Sequence, residues 1–90
     1  MKPSKAQIKL YKGVFLVRIQ TAHHEIYNEN LSLIGLDAYL KREILGDENE
    51  SIGNLDRETF NNFLECVQVM ALDRYNLDLD DLDKTIQLNF

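Results

Sequence analysis

What this sequence holds little of narrows its function before any pattern is considered. Its 90 residues include a single cysteine, Cys66, which cannot close an internal disulfide, so a secreted disulfide-stapled scaffold is excluded. The apolar run Val14-Phe15-Leu16-Val17 is far too short to span a bilayer, and no membrane partner is expected. Lys9, Lys12 and Arg18 interrupt the apolar block near the N-terminus, which therefore does not read as a signal peptide. The expectation is an intracellular, cytoplasmic protein. There is no glycine-rich phosphate loop, no nucleophile elbow and no pair of carboxylates facing an obvious cleft. Hence no catalytic residue, no cofactor and no small-molecule substrate is assigned, and the reading is non-enzymatic. What remains is 44% hydrophobic and 28% charged residues, the composition of one small globular domain with a modest core.

Metal chemistry fails on spacing. His23 and His24 are neighbours, so on a helix they point about 100° apart and cannot share an ion as an i, i+4 pair does. The acidic group Asp78, Asp80, Asp81 and Asp83 invites a calcium reading. Counted from Asp78, however, the fifth, sixth and twelfth places hold Leu82, Asp83 and Asn89, where a calcium loop needs a ligand, a glycine and a glutamate. Cys66 has no positioned histidine or helix N-terminus to activate it and is expected to be a buried, inert thiol. No metal site is assigned.

Hydrophobic periodicity predicts an all-α domain of three helices, over 5–28, 36–45 and 57–75, with an extended acidic tail over 77–90 and a single domain spanning 1–90. Ser4-Lys5-Ala6-Gln7 has the Ser-x-x-Gln form of a capping box. Ile8, Tyr11, Phe15, Ile19, Ala22 and Ile26 then mark one apolar face. Leu10, Val14 and Val17 step along a different side. A helix apolar on two sides is either central in its own fold or covered by a second chain, so these three are candidate partner-interface residues in a homodimer through helix 1. Gly13 costs roughly 1 kcal/mol relative to alanine within a helix, which is consistent with close packing against another helix there. Gly35 is expected to break the chain before Leu36, Tyr39, Leu40 and Ile44. Gly46 is placed to end that helix, and the stretch to Asn54 reads as a polar loop. Asp56 is a suitable N-cap for the third helix, with Leu55 and Phe60 as a hydrophobic staple. Phe60, Phe63, Leu64, Val67, Ala71 and Tyr75 form its apolar face, and Asn76 can terminate it. Beyond it, leucines alternate with the aspartates, and Ile86, Leu88 and Phe90 alternate with polar residues as in an extended segment.

Charge is uneven. Residues 1–30 carry five basic and two acidic side chains, whereas 31–60 carry three and seven and 61–90 carry two and six, within a net charge of −5. A nucleic-acid-binding chain is usually basic throughout, so any phosphate contact must be local. Lys5, Lys9 and Lys12, spaced i, i+4 and i+7, share one helical flank, with Tyr11 nearby and Arg18 further on. This combination can follow a phosphate backbone, although Tyr11 falls in the apolar period and suits the core better than a base-stacking role. The aspartates at 78, 80, 81 and 83 are candidate partner-interface residues for a basic partner.

The order of features resembles the helical part of the phage NinB/Orf recombination proteins. The resemblance runs over about 4–83, through Ser4-x-x-Gln7, Tyr11 and Gly13, then Leu36-Asp37-x-Tyr39-Leu40-Lys41-x-x-Ile44-Leu45. It continues through Ser51-x-x-x-Leu55-x-x-x-x-Phe60-x-x-Phe63-Leu64 to the acidic segment from Asp78 to Asp83. Ile8 stands where that family usually has Asn, the tail lacks its customary prolines, and the β-rich part of full-length members is not represented. The resemblance implies a dimeric, non-enzymatic accessory of phage or prophage recombination, acting on single-stranded DNA or its coating protein. Charge by itself points to a second reading, an acidic helical protein-interaction module, adaptor or inhibitor, with no nucleic-acid contact.

Overall fold

In the computed structural model, which describes residues 2–79, three helices surround one core, and no strand occurs among the described residues. Helix α1 covers 5–27 in three consecutive stretches: α-helical Lys5–Leu10, a π-helical turn Tyr11–Phe15, and α-helical Leu16–Tyr27. Helix α2 is Leu33–Leu45, a 3₁₀ turn follows at Ile52–Asn54, and helix α3 is Arg57–Tyr75. Side-chain bonds from Tyr11 to Asp37 and from Gln20 to the Leu31 carbonyl show α1 and α2 running antiparallel, with α3 packed across both.

The helix ends follow from their capping residues. The Ser4 hydroxyl accepts the Gln7 amide at 3.1 Å, and the Gln7 side chain accepts the Ser4 amide at 3.0 Å, closing the expected capping box. The Gln7 amide group also donates to Asn61 on α3 at 2.9 Å, tying the two helix starts together. Asp56 caps α3 by accepting the Thr59 amide at 2.8 Å, and that bond holds its carboxyl below the usual range. Leu55 and Phe60 are both buried, as a staple requires. Asn28, Gly46 and Asn76 each end their helix in the left-handed conformation.

The structure corrects the expected start of the second helix. Gly35 lies inside its first turn, because Ser32 caps the helix by accepting the Gly35 amide at 3.0 Å. A Cβ at Gly35 would stand 2.9 Å from that same hydroxyl, so the glycine admits the cap and does not break the chain.

The π turn revises the two-faced reading of α1. Within it the Leu16 amide bonds the Tyr11 carbonyl five residues back, so the turn holds more residues than an α-helical turn. Leu10, Tyr11, Phe15, Leu16 and Ile19 are all buried in one core. Leu10, expected to face a partner, is only 7% exposed in the chain's own interior. Val14 is half-buried against the core, and of the three only Val17 is exposed. Ile26, expected on the apolar face, is 53% exposed in the last turn of the helix, although Ile19 seven residues earlier is buried.

The core is completed by Leu36 and Leu40 of α2 and by Phe60, Phe63, Val67 and Ala71 of α3. The Tyr11 ring meets Phe63 edge-on at 5.1 Å and Phe60 at 6.5 Å. Cys66 is exposed and not buried, since it stands beside the inward stripe of Phe63 and Val67 rather than on it. In the loop expected to be wholly polar, Ile52 is buried and anchors the 3₁₀ turn. After α3, Leu77 and Leu79 pack on the core while Asp78 between them is exposed. Asp80, Asp81, Asp83 and the alternating Ile86, Leu88 and Phe90 lie outside the described residues.

Candidate functional site

The basic flank of α1 is laid out by its cap and its π turn. Lys5, Lys9, Lys12 and Arg18 are all exposed, and none forms an ion pair among the described residues. The reason is partly local: the sequence has no aspartate or glutamate before Glu25, so no i, i+4 partner exists on this helix for any of them. Tyr11 is not part of that surface. It is fully buried, so its ring cannot stack on a base.

Tyr11 instead anchors a polar link beneath the flank. Its hydroxyl donates to Asp37 at 2.6 Å, and the other Asp37 oxygen accepts Lys41 at 2.8 Å. Burial, then the bond and charge of Asp37, push the Tyr11 phenol far above its ordinary range, so it remains a neutral donor. Lys12, Leu16, Leu33, Ile34 and Asp37 line a mainly apolar groove of about 270 Å³ beside this link, and Ile34 on its rim is 86% exposed. Sequence periodicity shows Asp37 and Lys41 as one helix face. It holds no signal that Tyr11, 26 residues earlier, reaches them.

A second constellation sits at the far end of the bundle. His23 Nδ1 lies 3.0 Å from the Tyr75 hydroxyl, and its Nε2 lies 3.4 Å from Glu29. The Tyr27 ring packs 4.8 Å from His23 and 6.2 Å from Tyr75. Beside them a cavity of about 270 Å³ is lined by Leu31, Gly35, Leu36, Tyr39 and Arg74, with the Arg74 guanidinium donating to the Tyr39 hydroxyl. His24 is exposed and separate from this group. Among the described residues no cluster of three metal-ligating side chains occurs. Tyr27 stands four residues on along the same helix, but no short motif announces Tyr75, which comes from α3.

The outer face of α3 has the opposite character. Glu58, Glu65, Val69, Leu72 and Asp73 are exposed along it, with Val69 67% and Leu72 55% accessible. No helix among the described residues is long and apolar enough to cross a membrane. No protein-family model, curated protein or solved structure matches this chain.

Proposed function

We propose that this chain is a non-enzymatic accessory protein of DNA recombination or replication, of the kind carried by phages and prophages. In this reading it binds single-stranded DNA, or a nucleoprotein assembled on it, through Lys5, Lys9, Lys12 and Arg18. The observation that carries the reading is the set of four exposed cations without carboxylate partners among the described residues, within the first 24 residues of the chain, which contain no acid. Unpaired surface cations release counterions from a phosphate backbone without first breaking ion pairs of their own. The order of motifs resembling the NinB/Orf proteins supports the same class. With Tyr11 withdrawn into the core, affinity comes from phosphates and not from stacking, so binding is weak, salt-sensitive and indifferent to base identity.

A second reading is favoured by a different surface. Val69 and Leu72, exposed between Glu65 and Asp73, suit a protein partner with an apolar anchor and a basic rim. Fluorescence anisotropy of a labelled single-stranded oligonucleotide at two salt concentrations separates the two. Binding that fades with salt, and disappears in the Lys5→Glu, Lys9→Glu, Lys12→Glu variant, supports the DNA reading. A flat titration at low salt overturns it in favour of the protein-interaction module.

A further inference from the structure

Two of the four glycines are explained by the fold. Gly46 holds a left-handed helix end at φ +79°, and Gly35 makes room for the Ser32 cap. Gly13 has neither reason. Its φ lies outside the left-handed region, a Cβ added there would meet nothing within 4 Å, and it stands exposed at the centre of the π turn of α1. A glycine in such a place weakens the helix without serving any packing inside the chain.

Its neighbours indicate what does come close. Lys9, Gly13 and Val17 follow one another about one turn apart along the exposed crest of α1. Lys12 precedes Gly13 on one side of that crest, and Arg18 follows Val17 on the other. The absent side chain therefore leaves a shallow saddle with a cation on each side and no carboxylate on the same helix before Glu25. A second copy of this chain is a poor occupant, because symmetric approach at Gly13 would set the lysines of the two copies against each other. An extended polyanion meets no such repulsion.

Resting on the DNA reading above, we propose that Gly13 is the point of closest approach for a nucleic-acid phosphodiester backbone. The strand crosses α1 over this saddle, with Lys12 and Arg18 engaging phosphates on its two sides and Val17 touching the sugars. Removal of the Cβ lets both cations reach the same strand at once. The glycine then costs helix stability and in return allows the close approach.

The test exploits that opposition. Gly13→Ala and Gly13→Leu both place better helix formers in open space, so thermal unfolding followed by circular dichroism should show a Tm equal to or several degrees above wild type. Binding of a fluorescein-labelled oligothymidine should nevertheless weaken, modestly for Gly13→Ala and by about tenfold or more for Gly13→Leu, whose side chain occupies the path of the strand. The slope of log affinity against log salt should also become shallower in Gly13→Leu, by about 0.7 for each phosphate that the cations no longer engage. Asn62→Leu, which adds similar bulk to the outer face of α3, serves as the control and should bind as wild type. If wild type binds and the triple lysine variant does not, but Gly13→Leu binds with wild-type affinity and salt slope, the saddle is overturned while the DNA reading stands. If wild type itself fails to bind, the DNA reading falls and this proposal with it. Sedimentation showing a wild-type dimer that Gly13→Leu converts to monomer overturns the proposal as well, and assigns the face to an interface between copies.

Discussion

The exposed sides of α1 and α3 belong to one bundle and share one core, yet they are built on opposite terms. On α1 the exposed charges before Glu25 are all cations, set around Gly13 and Val17, with no acid on that stretch of the helix to neutralise them. On the outer face of α3 Glu58, Glu65 and Asp73 stand with Val69 and Leu72, although Arg57 and Arg74 are exposed at the two ends of the helix. The net charge of −5 averages these surfaces and describes neither. A small chain can thus present a local cationic track while remaining acidic as a whole. Partner choice then depends on which helix face is offered rather than on total charge.

The comparison breaks most severely if the shared core is removed. Phe63→Ala deletes a buried ring that packs on Tyr11, and a destabilisation of about 3–5 kcal/mol is expected in urea denaturation. In a domain of this size that change should abolish both surfaces together. Reversing the three lysines should act on one face alone. Lys5→Glu, Lys9→Glu, Lys12→Glu should eliminate oligonucleotide binding, whereas Glu65→Lys with Asp73→Lys should not reduce it, both read by anisotropy.

The link beneath the basic flank offers a smaller perturbation. Asp37→Ala leaves the buried Tyr11 hydroxyl and Lys41 without their acceptor, at a cost of about 1–3 kcal/mol in urea denaturation. The same tyrosine gives the fold an alkaline limit. Because its folded-state pKa is raised above the ordinary value of 10.0, its contribution is fully present below that pH and declines as pH rises beyond it. Denaturation midpoints should therefore fall above about pH 10, and Tyr11→Phe should flatten that fall. The smallest effect belongs to the α3 surface: Val69→Ser with Leu72→Ser should change stability by about 0.5 kcal/mol or less and leave oligonucleotide binding unaltered.

Much of the architecture is legible along the chain because caps and periodicity act over three or four residues. Ser4 with Gln7, Asp56 with Thr59, and the terminators Gly46 and Asn76 behave as their side chains require. The failures share a cause, which is that a neighbour outside the local pattern decides the outcome. Glycine usually interrupts helices, which makes Gly35 a breaker on the sequence, but the Ser32 hydroxyl needs that space. The inward stripe of α3 leaves Cys66 outside, a difference of one position that periodicity does not resolve when Phe63, Leu64 and Val67 are all apolar. The exposure of Lys5, Lys9, Lys12 and Arg18 follows from their charge. Their lack of ion pairs can be anticipated within α1, but not toward the other helices.

The sequence by itself determined three helices, most of their ends, and a first segment free of acid, since each depends on short-range chemistry that the chain carries wherever it folds. Only the tertiary structure decided that α1 takes a π turn. Around that turn Leu10 joins Tyr11, Phe15 and Leu16 in a single core while Val17 stays exposed, an outcome set by packing across three helices and not by helix propensity. The tertiary structure also decided that Tyr11 is withdrawn from the surface, because Asp37 and the rings of Phe60 and Phe63 together satisfy its hydroxyl and its face better than water does.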